Sequence, residues 1–222
     1  MSAAQASLFH VKQAETNLPP LTAPEFQALS SCSGTQLARL TSYLDLLIHW
    51  QRRINLVGAS TLVDPWRRHI LDAQQLVPLL PVDALAVTDL GSGGGFPGLV
   101  IAILTAARVT LVEADQRKAA FLATAARVSD TTVAIACQRM ETLPAASADV
   151  VTARACAPLP RLLPVIARIL RPNGVALLLK GQTGQVELTQ TEKHWKMRSS
   201  MIASRSDPGG VILQLQDIQA LP

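Results

Sequence analysis

The segment of this chain richest in chemical possibility is Val87-Thr88-Asp89-Leu90-Gly91-Ser92-Gly93-Gly94-Gly95-Phe96-Pro97-Gly98. A short apolar run ends on an aspartate and opens into glycines, which let backbone approach a ligand closely and take positive φ. Pro97 suits the first turn of a following helix, where its missing N–H costs nothing. A nucleotide-like group is the natural occupant of such a strand-to-helix loop; the plain alternative is an ordinary tight turn. A dinucleotide fingerprint, G-x-G-x-x-G counted from Gly91 and Gly93, would require a third glycine where Phe96 stands.

The acidic residues narrow the ligand further. Asp89 would repel a pyrophosphate but can pair, directly or through water, with the cationic methionine part of S-adenosylmethionine. Glu113, in Leu111-Val112-Glu113-Ala114-Asp115, follows the loop by about 20 residues, the separation expected of an acid that accepts hydrogen bonds from both ribose hydroxyls. A solvated turn carboxylate is its ordinary reading. Together, loop and acid favour an adenosyl methyl donor over a dinucleotide.

Other reactive side chains offer less. Cys32, Cys137 and Cys156 are far apart, with no CxxC and no Cys/His cluster, so neither a disulfide framework nor a metal site is expected. Cys156 follows Ala155 rather than a proline, and no His or Lys beside it would ionise it, so a small buried apolar role is expected. The chain also lacks an Asn/Asp-Pro-Pro-aromatic segment. Transfer to exocyclic amines or to pyrimidine C5 is therefore disfavoured.

The elements that must position these residues follow from periodicity. The 222 residues, 49% hydrophobic and 16% charged, suit one well-buried domain with a small appendage. Residues 1–23 are polar, alanine-rich and end in prolines, and a loose leader is expected there. Residues 24–82 should form a helical extension: Leu37, Leu40, Leu44 and Leu47 recur at helical spacing, and a second helix is expected over Pro65–Leu80. Residues 83–222 alternate apolar runs at 84–90, 109–112, 133–136, 150–153 and 175–179 with helical stretches at 97–106, 116–128 and 159–170. That alternation implies a parallel sheet with helices on both faces. Pro172-Asn173-Gly174 should close the last of those helices, and segments 197–203 and 211–218, flanking Asp207-Pro208-Gly209-Gly210, should add an antiparallel hairpin. The N-terminus lacks a basic stretch followed by an apolar one, and the longest apolar run, Leu99 to Ala107, is far short of a bilayer span. A soluble cytoplasmic protein is expected.

At this level of detail the chain resembles the bacterial small-subunit rRNA guanine-N7 methyltransferases, the glucose-inhibited division protein B family. The resemblance rests on Ile54-Asn55-Leu56-Val57, Arg68-His69-Ile70-Leu71-Asp72, the glycine loop, Arg117-Lys118 before Phe121-Leu122, Arg139-Met140-Glu141, Thr152-Ala153-Arg154-Ala155 and Leu179-Lys180-Gly181, in that order. It implies a class I S-adenosylmethionine-dependent methyltransferase fold, Rossmann-like, behind an N-terminal helical extension. It implies that Gly91 and Phe96 line the donor site with Ser92, Gly93 and Gly95 of the same loop, that Met140 and Glu141 flank the adenine, that Glu113 holds the ribose and that Arg154 contacts the cofactor region. The implied substrate is N7 of a guanine in the decoding-region loop of 16S rRNA, free or within the small subunit, with no membrane or DNA partner and a monomeric enzyme. Ala114, where relatives often carry serine, and Cys156, where they often carry an apolar or aromatic residue, depart from the pattern.

Attack by guanine N7 uses a lone pair already exposed, so no general base is required; alignment and tolerance of positive charge are. Arg68 and Asp72 have the spacing of an ordinary i,i+4 pair. Alternatively Arg67, Arg68 and His69 face the cleft and meet RNA phosphate or the guanine O6 edge. The formal net charge is +4, but basic residues crowd the stretch from Arg154 to Arg205, which suits a phosphate-binding surface. Within it Arg154 and Lys180 each end an expected parallel strand, where ligands bind in open α/β sheets, and are the residues expected to position substrate. The glycine loop alone would also fit a small-molecule methyltransferase or a non-catalytic donor-binding assembly factor.

Overall fold

The computed structural model describes residues 18–83 and 86–222. The first part of the expected leader and the first positions of the expected first strand lie outside those residues. Within them, Leu21 is already buried, and Thr22 caps the first helix in a reciprocal pair with Glu25.

Seven strands form one sheet in the order β3-β2-β1-β4-β5-β7-β6. They are β1 (Ala86–Leu90), β2 (Arg108–Val112), β3 (Ala134–Ala136), β4 (Ala148–Arg154), β5 (Leu170–Lys180), β6 (Trp195–Ala203) and β7 (Val211–Ala220). The first five are mutually parallel, and β7 runs antiparallel between β5 and β6. The chain builds outward from β1 to β3, then returns to start again at β4. The crevice beside β1 and β4 is thus the switch point at which ligands bind in such sheets.

Period-two alternation sends neighbouring residues to opposite cores. Val150, Leu177 and Leu179 face one apolar cluster, whereas Val151, Ala176 and Leu178 face the other. The first cluster is covered by α1 (Ala23–Ser30), α2 (Gly34–Gln51), the short α3 (Asp72–Gln74), α4 (Gly98–Leu104) and α5 (Gln116–Val128). The second is covered by α6 (Leu159–Ile169) and α7 (Gly184–Thr191). α2 begins with a capping box between Ser33 and Gln36 and buries Leu40, Tyr43, Leu44 and Leu47 at three- and four-residue spacing. The helical extension therefore shares a core with the sheet.

Two expectations are corrected and one element is added. Residues 65–80 are not one helix: Trp66–Leu71 is a π-helix, α3 follows it, and a 3-10 turn at Val77–Leu79 accommodates Pro78. Pro172-Asn173-Gly174 does not end α6, because β5 starts at Leu170 and carries those residues as a bulge. Its register against β4 jumps from Leu170 opposite Ala148 to Val175 opposite Val150, with Asn173 at φ 66°. α7 is additional; it buries only Gly184, Leu188 and Thr191 and so leaves little apolar periodicity to read.

Candidate active site

A cavity of about 990 Å³ opens at the carboxyl edge of the sheet, large enough for a cofactor together with part of a substrate. Its walls come from the segments after β1 (Gly91 to Gly94, and Phe96), after β2 (Glu113, Lys118), after β4 (Arg154 to Pro158) and at the end of β5 (Leu179 to Gly181). The hairpin turn adds Ser204, Ser206 and Asp207, and the extension adds Asn55 to Gly58, Thr61, Arg68, His69 and Asp72.

The glycine loop is held in shape by its neighbours. Glu113 accepts the Gly93 N–H at 2.9 Å through one carboxylate oxygen and the Asp115 N–H at 2.8 Å through the other. Each oxygen keeps a further lone pair for a ligand hydroxyl. The extension packs against the loop: the Gln51 amide accepts the N–H groups of Leu56 and Val57 and donates to the Val57 carbonyl, which holds that segment so close that a Cβ on Gly94 would lie 3.3 Å from the Leu56 carbonyl. A Cβ on Gly98 would lie 2.7 Å from the Asp89 Cβ. Gly98 thus provides the close helix-to-strand packing that Phe96 could not.

Phe96 lines the cavity but is only 3% exposed. The His69 ring stacks on it at 4.9 Å and 23°, and the Arg154 guanidinium carbon lies 4.6 Å from its ring centre. Arg154 donates to the Asp72 carboxylate and the Arg68 carbonyl, both at 3.2 Å. Asp72 accepts also from Ser206 and Gln75, which ties the π-helical segment to the hairpin turn.

His69 is 3% exposed. Thr61 uses its hydroxyl proton on the Gly58 carbonyl, so it accepts from His69 Nε2 at 2.8 Å. Nδ1 is left as a bare acceptor without a partner among the described residues. Burial first, then the charges of Arg154 and Arg68, push the imidazole down to about 3. It stays neutral at physiological pH and offers no proton-transfer role.

The structure brings Gly91, Ser92, Gly93, Phe96, Glu113, Arg154, Lys180, Arg68 and His69 onto one cavity wall. Asp89, Gly95, Met140 and Glu141 are not on it. Asp89 is fully buried beneath the loop, where one oxygen accepts from Thr152 at 2.8 Å and the other has no partner among the described residues. Burial pushes its carboxyl up to about 6 against the opposing hydrogen bonds and Arg154. Gly95 turns inward toward Tyr43. Met140 packs on the second core, and Glu141 is exposed beside Arg139. Arg67 is also off the wall, bound to Asp64 and the Pro19 carbonyl. Arg68 pairs with Asp207 at 2.8 Å rather than with Asp72.

Lys180 lines the cavity, but its ammonium is committed: it donates to Glu187 at 2.9 Å and the Ala157 carbonyl at 3.0 Å. Glu187 lies below the ordinary carboxylate range because Lys180, the Leu159 N–H and Thr183 together outweigh the opposing effect of burial. Cys156 stands on the wall with its thiol pushed up to about 11 by burial and the Asp89 charge. It is unreactive as a thiolate at neutral pH. Among the described residues, no cluster of three or more His, Cys, Asp or Glu is placed to hold a metal ion, and no helix is long and apolar enough to cross a membrane.

Missed from the residues alone were Lys118, Asp72 and the serines of the hairpin turn. The Arg-His-Ile-Leu-Asp run pointed to Asp72 only as a helical partner of Arg68. Nothing local marked Ser204 or Ser206, which reach the site through long-range strand pairing.

These features agree with the comparisons. The family described as GidB, rRNA small subunit methyltransferase G, matches residues 36–207. The ribosomal RNA small subunit methyltransferase G of Rhodospirillum rubrum is 50% identical over 89% of this chain and 98% of its own. That of Paramagnetospirillum magneticum is 48% identical over 87% and 95%. Among solved structures, a Thermus thermophilus 16S rRNA N2 G1207 methyltransferase in complex with AdoMet and guanosine aligns with a TM-score of 0.54 at 14% identity, over 68% of this chain and 40% of that one. That likeness shows the class I methyltransferase fold. With a family match spanning the glycine loop, the cavity and most of the sheet, the chain belongs to the rRNA small subunit methyltransferase G family.

Proposed function

We propose that this protein transfers a methyl group from S-adenosylmethionine to N7 of a guanine in 16S rRNA, by direct in-line attack without a general base. Family membership, joined to a cavity at the switch point between β1 and β4, is the observation that carries the reading. Gly91, Gly93 and Phe96 would hold the donor, with Glu113 on the ribose. Asp89 would act from beneath the loop through its charge rather than by contact. Bound there, S-adenosylmethionine supplies an electrophilic methyl group on a sulfonium.

The N7–carbon bond forms as the carbon–sulfur bond breaks, and positive charge moves from sulfur to the base. No proton is transferred, which fits a site whose histidine, held down to about 3, is a very weak base and whose cysteine is protonated. The lining cations Arg68, Lys118, Arg154 and Lys180 are balanced by Asp72, Glu113, Glu187 and Asp207, so charge arriving on the base meets no net repulsion. Phe96 is buried under His69 and Arg154 and would act as the support that fixes the Arg154 guanidinium, together with Asp72, at the cavity wall.

The test uses labelled donor and small subunits lacking the modification, followed by N7-sensitive cleavage of the rRNA. Label at a guanine N7 supports the function. Label at another atom, or donor binding with no transfer, contradicts it.

A further inference from the structure

The basic residues crowded between Arg154 and Arg205 do not form one surface. Arg154 and Lys180 are neutralised by Asp72 and Glu187, Arg171 by Asp149 and Arg198 by Asp217. Arg168 donates to the carbonyls of Glu141 and Leu143. The exposed cations Lys193 and Lys196 lie just before β6 and at its start. β6 runs in the same direction as β5, because each is antiparallel to β7. Its start is therefore at the amino edge of the sheet, opposite the cavity. At about 3.3 Å per residue, Lys196 is roughly 23 Å along the strand from the end that borders the cavity.

A different set of cations lies on, or within a few residues of, the segments that line the cavity. Lys118 lines the cavity in the first turn of α5. Arg161 is exposed in the first turn of α6, just beyond the lining residue Pro158. Arg205 is exposed between the lining residues Ser204 and Ser206, and Arg52 and Arg53 are exposed immediately before the lining segment that starts at Asn55. No side chain of these five has an ion-pair or hydrogen-bond partner among the described residues. The carboxylates on the cavity wall are all occupied, by Arg154, Lys180, Arg68 or, for Glu113, backbone N–H groups.

We propose that this collar of Arg52, Arg53, Lys118, Arg161 and Arg205 is the phosphate-binding surface that holds RNA over the cavity, and that the basic amino edge around β6 takes no part. The proposal rests on the rRNA methyltransferase reading and assigns its substrate face. Free guanidinium and ammonium groups around a charge-balanced cavity suit a polyanion whose base enters while its backbone stays at the rim.

Two variants with the same change in net charge separate the surfaces: Arg53→Glu/Arg161→Glu at the collar and Lys193→Glu/Lys196→Glu at the far edge. Binding of an unmethylated 16S rRNA fragment carrying the target guanine is measured across a salt series, with donor affinity followed by calorimetry. The collar variant should bind RNA at least tenfold more weakly, with a log–log salt slope shallower by about 1.4, as expected for two lost phosphate contacts on single-stranded RNA. Donor affinity should be unchanged, and the far-edge variant should stay within twofold of wild type. Equal losses in both variants, a loss confined to the far edge, or no loss in either overturns the assignment. Wild-type protein that binds this RNA but methylates none of it would sink the function itself, separately from the choice of surface.

Discussion

The hydroxyl of Tyr43 lies 2.7 Å from where a Cβ on Gly95 would stand, and it donates a hydrogen bond to the carbonyl of Gly94. A helix outside the sheet thus grips the loop proposed to hold the donor. Gly95 has φ 93°, a conformation that glycine tolerates and other residues rarely adopt. Tyr43→Phe, which keeps the buried ring and removes the bond, is expected to weaken donor binding by about five- to tenfold, the worth of one hydrogen bond. Gly95→Ala adds backbone strain and a displaced hydroxyl, and should cost more than Tyr43→Phe in both donor affinity and denaturant stability. Calorimetry and urea unfolding check the order.

Lys180 is expected to matter first for stability. Its side chain is 9% exposed and bridges Glu187 and the Ala157 carbonyl. Lys180→Met would leave a partly buried carboxylate without its cation, costing about 3 kcal/mol. The double variant Lys180→Met/Glu187→Met should cost less than the two single changes together. Urea titrations of the four proteins in the cycle measure the coupling.

Asp89 gives a pH signature. Burial raises its carboxyl from 3.8 in the unfolded chain to about 6 in the fold. A raised value means that the proton is held more tightly in the folded state. This contribution therefore favours folding fully below about pH 4 and is lost as pH rises through 6. Asp89→Asn has no such titration. The stability of the variant relative to wild type should accordingly improve by up to about 3 kcal/mol between pH 4 and pH 7. A difference that is flat over that range, measured by urea unfolding at each pH, would contradict the buried ionisation.

Much of the frame was legible because sheet and helix periods differ so clearly. The alternation after Pro81 located all five parallel strands, and the Asp207-Pro208-Gly209-Gly210 turn located the hairpin. α7 escaped because it buries too few apolar side chains to show a period. The turn signal at Pro172-Asn173-Gly174 was locally sound, but strand pairing absorbed it as a bulge. At the site, Glu113 and Arg154 could be read from their positions at strand ends, whereas Phe96, in the loop after β1, was reached only through the family resemblance. Charge partners could not: the neighbours in sequence, Arg68 and Asp72, pair instead with Asp207 and Arg154, which arrive through the topology. For the same reason a basic run in sequence dispersed: Arg154, Arg171, Lys180 and Arg198 went into ion pairs, Lys193 and Lys196 to a distant edge, and among the described residues only Arg161 and Arg205 stayed unpaired beside the cavity-lining segments.

The central claim is attack by N7 itself, and one substitution in the substrate tests it. An RNA fragment carrying guanine at the target position, and the same fragment with 7-deazaguanine there, are incubated with the enzyme and labelled methyl donor. The guanine fragment should accept label, and the 7-deaza fragment, which has carbon in place of the attacking nitrogen, should accept none while binding comparably. Methylation of the 7-deaza fragment at the rate of the guanine fragment would contradict the account.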